Sequence, residues 1–338
     1  MFRDLLWKIY QRKDLTEEEM AAMLGEIFSG NTTDAQVGAL MGALATKKET
    51  YAELAGAARA MRRKAIRIQT AATDVIDTCG TGGDSTGTFN VSTVTALVAA
   101  GCGAVVAKHG NRSISSQCGS ADVLEALGVN LDLDPEIVEE AIEEIGIGFL
   151  FAPKHHGAMK YAANARKQIG LRSIFNMLGP LTNPAAANRQ LVGVFAPELT
   201  EMFALALQRL GTKRALVVHG HDGMDEISVC AKTRVCELKD DRITTYDISP
   251  DTYFGRQADP EEIRGGDPSQ NAEITKSILS GQKGACRDIV LINTAGALMA
   301  AGRAENIEQG IEAAESAIDT GAGMEKLNAL VEFSRENA

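Results

Sequence analysis

Aromatic side chains are scarce in this sequence: they make up 5% of its 338 residues, and tryptophan occurs once. Alanine and glycine are frequent instead, and the hydrophobic fraction reaches 45%. All-β folds fill their cores largely with aromatic and β-branched side chains, so the composition argues against a β-sandwich. Small side chains favour helices that pack closely on a sheet, and the length suits one large domain or two modest ones.

Long apolar segments are also missing. No stretch approaches the ~20 consecutive apolar residues that a membrane-spanning helix requires. Charged residues occur throughout the N-terminal segment 1–20, which therefore lacks the apolar core of a secretory signal peptide. We expect a cytoplasmic protein that does not enter a membrane.

Closely spaced cysteines are missing as well. The six cysteines form no Cys-x-x-Cys pair, and no histidines stand at the spacing of a zinc site. We expect reduced thiols. The cysteines are Cys79, Cys102, Cys118, Cys230, Cys236 and Cys286.

Positive charge is in deficit, because 34 lysines and arginines face 45 aspartates and glutamates, which gives a net charge of −11. A protein of this charge repels nucleic acid at long range, so we expect no nucleic-acid partner. An anionic substrate would also be repelled. Any phosphate site must therefore depend on local cations, backbone amides and a metal ion.

The first seventy residues show helix signals and no strand signal. Residues 34–45 are almost all apolar and small, which predicts a helix buried in the core or against a second subunit. Three capping boxes mark helix starts. In each, a hydroxyl and a later acidic or amide side chain accept hydrogen bonds from backbone N–H groups of the first turn. The pairs are Thr16 with Glu19, Thr33 with Gln36, and Thr50 with Glu53.

Beyond Asp74 the pattern changes to strands that alternate with glycine-rich loops and helices, which is typical of a parallel α/β fold. We predict an α/β protein with a small all-helical domain and a larger α/β domain, whose mostly parallel central sheet is flanked by helices. The predicted bounds are 1–72 with 171–190 for the helical domain and 73–170 with 191–338 for the α/β domain. Predicted strands are 75–77, 104–107, 147–153, 191–195, 215–220, 226–230 and 234–238; predicted helices are about 90–100 (closed by Gly101), 121–127, 156–170, 171–178, 288–301 and 305–319.

The segment 77–93 follows the first strand with four glycines and many hydroxyls. Ser85 stands where a dinucleotide-binding fingerprint needs glycine, and no lysine follows Gly87 as a Walker loop would require. Free amides and hydroxyls before a helix N-terminus favour a phosphate-binding loop. The alternative is a tight structural turn. The glycines are Gly80, Gly82, Gly83 and Gly87, and the hydroxyl residues are Ser85, Thr86, Thr88, Ser92 and Thr93.

The segment 108–116 offers cations and neutral donors at the end of the next strand. α/β folds place ligands at the carboxyl ends of parallel strands, and lysine and arginine match phosphate groups. The alternative is a solvated basic loop. The cationic residues are Lys108, His109 and Arg112, and the neutral donors are Asn111, Ser113, Ser115 and Ser116.

Carboxylates cluster after the strand 215–220, at Asp222, Asp225 and Glu226. Adjacent carboxylates repel each other unless a cation neutralises them, which suggests magnesium rather than a transition metal at His219 and His221. An acidic surface turn is the alternative.

Two further features carry weaker signals. Arg166 lies on a predicted helix and could hold a carboxylate through a bidentate pair, although a solvated arginine is equally consistent. The turn from Gly179 through Pro184 is rigid, and a simple helix stop explains it as well.

Together these segments resemble anthranilate phosphoribosyltransferases over nearly the whole chain. The resemblance rests on motifs in the family's order: GTGGD (80–84), NVST (90–93), KHGNR (108–112), GSADVLEALG (119–128), GPLTNPA (179–185) and DGMDEIS (222–228). It implies transfer of the phosphoribosyl group of phosphoribosyl pyrophosphate (PRPP) to the amine of anthranilate in tryptophan biosynthesis. It also implies two magnesium ions per subunit and a homodimer joined through the helical domain.

The resemblance also assigns residues to the site. Lys108, His109 and Arg112 would be catalytic, and Ser92, Asp225 and Glu226 would ligate magnesium. Gly80, Asn111 and Arg166 would contact anthranilate. PRPP would be bound by Gly80, Gly83, Asp84, Thr88, Asn90, Val91, Ser92, Thr93, Lys108, His109, Gly110, Asn111, Arg112, Ser113, Ile114, Ser115, Ser116 and Ser120.

Two positions depart from the family pattern, since Gly157 and Asn164 stand where the family has proline. Both lie on the implied anthranilate side. The alternatives to the main interpretation are a pyrimidine nucleoside phosphorylase and a non-catalytic relative that binds nucleic acid.

Overall fold

The computed structural model describes residues 1–84, 86–113 and 117–337. Ser85, Ile114, Ser115 and Ser116, which the sequence analysis placed in the phosphate-binding loops, lie outside the described residues.

The N-terminal region is helical, as predicted. All three capping boxes are formed, with the threonine hydroxyl accepting from the third helical amide and the Glu or Gln side chain accepting from the cap amide. Its helices are α1 (Phe2–Tyr10), α2 (Glu17–Phe28), α3 (Asp34–Lys47) and α4 (Tyr51–Lys64).

Helix α3 is buried on one face only. Val37, Leu40 and Leu44 are fully buried, whereas Gly42 and Ala45 are exposed. This chain therefore covers only one face of the helix that was predicted to be buried. The opposite face, which carries small residues, is exposed.

The remaining elements form a seven-stranded sheet with helices on both sides, which confirms the predicted fold class. The helices are α5 (Val91–Gly101), α6 (Ser120–Ala126), α7 (Pro135–Ile145), α8 (Ala152–His155), α9 (Lys160–Ile169), α10 (Ile174–Met177), α11 (Leu199–Arg209), α12 (Asp251–Phe254), α13 (Pro268–Leu279), α14 (Ala285–Ala300), α15 (Ile307–Asp319) and α16 (Ala322–Glu336). The strands are β1 (Ile76–Asp77), β2 (Val106–Gly110), β3 (Ile147–Phe151), β4 (Arg189–Gly193), β5 (Arg214–Gly220), β6 (Thr233–Lys239) and β7 (Arg242–Ile248).

The sheet order is β3-β2-β1-β4-β5-β6-β7, with the first five strands parallel and the last two antiparallel. Alternate residues face opposite layers, as strand geometry requires: Leu191 and Leu216 pack with α14 and α15, while Val192 and Val217 pack with α11 and the N-terminal helices. The helical region therefore lies against one face of the sheet. In the parts of the chain described here, no helix is both long and apolar enough to cross a membrane.

Several predicted elements were wrong in detail. Residues 226–230 form a loop, because Ile227 N donates to Asn293 Oδ1 at 2.8 Å and Ser228 N to Thr233 Oγ1 at 2.9 Å, so side chains replace strand partners. Strand β7 was missed because its polar, exposed sequence lies at the sheet edge. Helix α5 includes Gly101 and is capped by Cys102 instead.

Three other helical segments differ from prediction. In the segment 171–178, which was predicted as one helix, only Ile174–Met177 is an α-helix, and a 3-10 turn follows at Gly179–Leu181. Helices α13 and α16, which are well formed, were not predicted.

Candidate active site

The glycine-rich loop lies where the carboxyl ends of β1 and β4 meet, since these strands are parallel neighbours. Thr81 N donates to the carbonyl of Gly193 at 2.9 Å, and Gly82 N donates to Asp225 Oδ2 at 2.7 Å. The loop is thus attached both to the sheet and to the acidic segment after β5.

Close backbone approach explains two glycines. A Cβ at Gly80 would lie 3.0 Å from Asp225 Oδ2 and 3.1 Å from the carbonyl oxygen of Gly193. A Cβ at Gly193 would lie 1.5 Å from the carbonyl oxygen of Asp225, so no side chain fits there. Gly193 was not singled out from the sequence, although a glycine inside the predicted strand 191–195 was its available signal.

Asp225 and Glu226 form a desolvated acidic pair beside this loop. Glu226 Oε1 accepts from Ser92 N at 3.1 Å. Desolvation raises the pKa of Asp225, and the charge of Asp84 raises it further. Desolvation and the charge of Asp225 raise the pKa of Glu226 well above its usual value.

Lys108 supplies a buried positive charge to this group. Its Nζ lies 3.3 Å from Thr78 Oγ1 and 3.4 Å from Ser92 Oγ, which are long contacts with neutral oxygens. The residue is 3% exposed and belongs to β2 itself, not to the loop after it as predicted, because β2 pairs with β3 through Gly110.

Asp77 is a further buried acid that the sequence analysis did not assign. Its Oδ1 accepts from His109 N at 3.1 Å and its Oδ2 from Asn183 Nδ2 at 2.7 Å. Burial raises the pKa of Asp77 to about 6. Asn183 also donates to the carbonyl of Ala107 at 2.8 Å, so the GPLTNPA turn fastens β1 to β2.

The acidic side chains outnumber the single lysine. The charge of Lys108 acts on both Asp77 and Glu226, and the charge of Asp84 acts on both Asp225 and Glu226. An uncompensated set of buried carboxylates requires a cation, and oxygen donors of this kind suit magnesium. The predicted ligands Ser92, Asp225 and Glu226 therefore have the chemistry of a magnesium site.

A tighter set of ligand atoms lies nearby. Among the described residues, Asp77, Cys79 and His109 alone form a trio whose ligand atoms lie within 4.8 Å of one another. Both carboxylate oxygens of Asp77 already accept hydrogen bonds, and burial raises the pKa of the Cys79 thiol. The Cys79 thiol therefore keeps its proton and the Asp77 carboxylate is already hydrogen-bonded, whereas the oxygen donors around Asp225 suit magnesium better.

His109 is held as a neutral imidazole. Its Nδ1 lies 3.0 Å from the carbonyl oxygen of Gly179, which can only accept, so Nδ1 carries the proton. Burial and the neighbouring His156, at 5.0 Å between ring centroids, lower the pKa of His109 to about 3. Its Nε2 is buried without a hydrogen-bond partner in the described part of the chain.

Arg112 is exposed and is bound by carboxylates of α6. It makes a bidentate pair with Glu125, at 2.7 and 2.9 Å, and a third bond to Asp122 Oδ1 at 3.1 Å. To bind a phosphate, Arg112 would have to release Glu125 and Asp122.

The backbone around Arg112 is also organised by α6. Asp122 Oδ2 accepts from Ser113 N at 3.0 Å and from Gly119 N at 2.8 Å. Ser120 Oγ donates to the carbonyl of Asn111 at 3.3 Å. A Cβ at Gly110 would lie 2.2 Å from Ser120 Oγ, which explains the glycine.

At the start of α5, backbone amides are better placed than side chains to contact a ligand. Val91 and Thr93 are buried in the core side of the helix. Asn90 joins the start of α5 to two other segments. Its Nδ2 donates to the carbonyl of Cys118 at 3.1 Å, and its Oδ1 accepts from Asn271 Nδ2 at 3.0 Å. Thr88 forms an isolated bridge with Arg264.

Arg166 lies on α9, within the cluster that the helical region forms. Its guanidinium lies 5.8 Å from the ring centroid of Phe175, and no carboxylate pairs with it in the described residues. Burial lowers its pKa. Asn164, one of the two departures from the family pattern, donates to Asp34 Oδ2 of α3; the other, Gly157, begins a 3-10 turn.

The structure thus brings together Lys108, Ser92, Asp225, Glu226 and the loop 80–84. The contacts of Arg112 and Arg166 lie outside this group, with α6 and with Phe175.

Comparison with known proteins places these features in a family. Residues 72–324 match the model of the glycosyl transferase family a/b domain, and residues 3–65 match that of its helical bundle domain. Proteins described as anthranilate phosphoribosyltransferase from Desulfosudis oleivorans and Syntrophobacter fumaroxidans are 64% and 63% identical, each with 100% of both chains covered.

Solved structures agree. The anthranilate phosphoribosyltransferase of Thermus thermophilus superposes with a TM-score of 0.93 at 40% identity, covering 98% of this chain and 99% of that one. The enzyme of Saccharomyces cerevisiae, described in complex with PRPP and Mg, has a TM-score of 0.91 at 27% identity, covering 99% and 98%. Full-length identity of this order, together with the glycine loop, the buried lysine and the acidic pair, shows that the chain belongs to the anthranilate phosphoribosyltransferase family.

Proposed function

We propose that this protein transfers the phosphoribosyl group of PRPP to the amine of anthranilate, which yields N-(5-phosphoribosyl)anthranilate and pyrophosphate in tryptophan biosynthesis. The observation that carries the proposal is the convergence of the loop 80–84, Lys108 and the acidic pair Asp225–Glu226 at one edge of the sheet. This edge combines amides, a cation and metal-binding carboxylates around one space, which is what a diphosphate needs.

PRPP is proposed to lie along the glycine loop and the N-terminus of α5, where the residues at the end of β2 would contact its phosphates. Amides of the loop and the positive end of α5 favour anionic oxygens. The described residues proposed to contribute are Gly80, Gly83, Asp84, Thr88, Asn90, Val91, Ser92, Thr93, Lys108, His109, Gly110, Asn111, Arg112, Ser113 and Ser120; Ile114, Ser115 and Ser116 are proposed on the sequence alone.

Ser92, Asp225 and Glu226 are proposed to hold magnesium, as two ions per subunit. When bound, magnesium would neutralise charge that develops on the departing pyrophosphate. The residues fit this role, because desolvation and neighbouring carboxylates raise the pKa values of Asp225 and Glu226, and a bound cation would relieve both effects.

The chain's own residues supply orientation and charge stabilisation. Lys108 stabilises the pyrophosphate that leaves C1 of the ribose, and Arg112 would join it after exchanging its α6 partners. Arg166 holds the carboxylate of anthranilate, with Gly80 and Asn111 beside it. The arylamine is a neutral nucleophile that inverts C1, and its proton goes to the substrate's own ortho carboxylate, since the pKa of His109, lowered to about 3, makes this imidazole a weak base.

The direct test follows the loss of anthranilate fluorescence when the protein is mixed with PRPP and magnesium. Consumption of anthranilate with one equivalent of pyrophosphate released is expected. Thymidine with phosphate serves as the control for a nucleoside phosphorylase, and release of thymine without consumption of anthranilate would overturn the proposal.

Arg166→Ala is expected to raise the KM for anthranilate by about ten- to a hundredfold, because a bidentate carboxylate pair is lost. The KM for PRPP should change little. Lys167→Ala, which removes an exposed charge from the next position of α9, is the matched control. Steady-state kinetics with each substrate varied would measure both constants, and an unchanged KM for anthranilate would remove Arg166 from the site.

The acidic pair predicts how stability depends on pH. In the metal-free protein, the raised pKa values mean that the folded state binds protons more tightly than the unfolded chain. The resulting stabilisation is complete below the ordinary carboxyl range near pH 4 and is lost as pH rises through the folded values. Magnesium should therefore stabilise the protein more at pH 8 than at pH 5.5.

Thermal unfolding with EDTA or with magnesium at several pH values checks this prediction. The midpoint should rise by at least about 2 °C with magnesium at pH 8 and by less at pH 5.5. In the Asp225→Asn, Glu226→Gln variant the difference should vanish. An equal magnesium effect at both pH values would contradict the assignment.

We also propose a homodimer in the cytoplasm, joined through the helical region. The outward strip of α3, where Gly42 and Ala45 are exposed, supports it. Size-exclusion chromatography with light scattering should give twice the chain mass of 35.9 kDa. The mass of a monomer would contradict the proposal.

A further inference from the structure

A second concentration of positive charge lies away from the acidic site. The last turns of α4 and the segment after it place Arg59, Arg62, Arg63 and Arg67 around one cleft, with Leu210 as the apolar wall. The cleft has a volume of about 200 Å³. Four arginines line this cleft although the protein as a whole carries a net charge of −11.

Only one of the four has a carboxylate partner in the described residues. Arg59 pairs with Glu17 and donates to the carbonyl of Arg209 at 2.7 Å. Glu17 also lies 3.4 Å from Arg209 Nη1, so this carboxylate is shared between two arginines. Arg63 and Arg67 are exposed, and neither forms an ion pair or hydrogen bond in the described part of the chain.

Arg62 is the least compensated member. Its Nε donates to the carbonyl of Leu181 at 2.7 Å, and this is its one hydrogen bond among the described residues. Burial and the charge of Arg59 lower the pKa of Arg62 to about 10. A partly desolvated cation beside like charges is unfavourable unless an anion accompanies it.

Helix capping accounts for part of this pattern. Arg62 and Arg63 stand in the last turn of α4, where positive charge complements the helix dipole. That effect does not explain Arg67, which lies beyond the helix and lines the same cleft. A bound anion would neutralise the arginines that lack a carboxylate partner.

We propose that the cleft of Arg59, Arg62, Arg63 and Arg67 binds a small phosphate-type oxyanion, with inorganic phosphate as its simplest form. Guanidinium groups bind such oxyanions through paired N–H donors, and the small volume excludes a macromolecule as the main occupant. None of the four arginines is among the residues proposed to bind PRPP, anthranilate or magnesium, and Arg62 donates instead to the carbonyl of Leu181.

The test uses the full-length protein in magnesium-free buffer at constant ionic strength. Phenylglyoxal modifies accessible arginines, and peptide mass spectrometry reports the rate at each position. Inorganic phosphate is expected to slow modification of Arg63 and Arg67 about tenfold relative to sodium chloride. The same experiment is repeated with pyrophosphate. The anion that protects Arg63 and Arg67 at the lower concentration shows whether the cleft prefers a phosphate or a diphosphate.

Equilibrium dialysis with labelled phosphate provides the second measurement. The Arg63→Gln, Arg67→Gln variant should bind about one phosphate fewer per chain than the parent protein, with the remaining active-site binding unchanged. The matched control is Lys239→Gln, Arg242→Gln, which removes two exposed charges from the β6–β7 hairpin and should bind as the parent does. Circular dichroism spectra and thermal unfolding midpoints should be equal in all three proteins, which confirms that they are folded.

Equal modification of Arg63 and Arg67 with phosphate, pyrophosphate and chloride would overturn the proposal. Equal phosphate binding by the parent and the Arg63→Gln, Arg67→Gln variant would overturn it as well. Since neither readout requires turnover, the result does not depend on the proposed reaction.

Discussion

Asp225→Asn combined with Glu226→Gln should lower turnover with PRPP and anthranilate by about a thousandfold or more, because the proposed magnesium ligands are lost. Both substitutions preserve side-chain shape and remove charge that the folded protein accommodates poorly, as the raised pKa values of the two carboxyl groups indicate. The fold should therefore be retained. Steady-state assays and circular dichroism measure the two effects.

The control for this variant is Asp240→Asn with Asp241→Asn, which removes two carboxylates from the exposed turn between β6 and β7. Both positions have positive φ, of 50° and 57°, which asparagine tolerates. Full activity is expected in the control. Turnover within a few fold of the parent in the Asp225–Glu226 variant would show that magnesium is held elsewhere.

Lys108→Met is expected to lower kcat/KM by about a hundred- to a thousandfold, which is the cost of removing one preorganised charge from a developing anion. The substitution keeps the length of a side chain that is 3% exposed, so little space is left empty. The loss should appear in kcat as well as in the KM for PRPP, because pyrophosphate gains charge on leaving.

Lys213→Met is the matched control for Lys108→Met. Lys213 is exposed and pairs with Asp74 at 3.0 Å, at the opposite end of β5 from the site. Thermal unfolding should show that the Lys108 variant remains folded, and preserved kcat/KM in it would mean that the leaving group is stabilised without this lysine.

Features that depend on short stretches of sequence were predictable. The capping boxes join residues three apart, and their bonds formed as expected. The alternation of strands and glycine loops gave the mostly parallel sheet, because parallel strands need helical crossovers. The same rule placed the glycine loop and the acidic pair at one edge, since both follow strands of the parallel part of the sheet, whereas Lys108 lies within β2.

Features that depend on distant partners were not predictable. The loop at 226–230 has the apolar alternation of a strand, but Asn293, which lies 66 residues from Ile227, takes its hydrogen bonds. The ion pairs of Arg112 with Asp122 and Glu125 could not be foreseen, because nothing in its own segment shows that these carboxylates reach it. Asp77 and Asn183 join segments 106 residues apart and carried no local signal.

The hydrogen bond from His109 to the carbonyl of Gly179 has a consequence for enzymology. With Nδ1 committed as a donor, the ring presents only a lone pair at Nε2, and its protonation would need strongly acidic solution. The imidazole cannot then deliver a proton to either leaving group or product near neutrality. A titration of the rate between mildly acidic and neutral solution would therefore follow the carboxylates and leave the histidine silent.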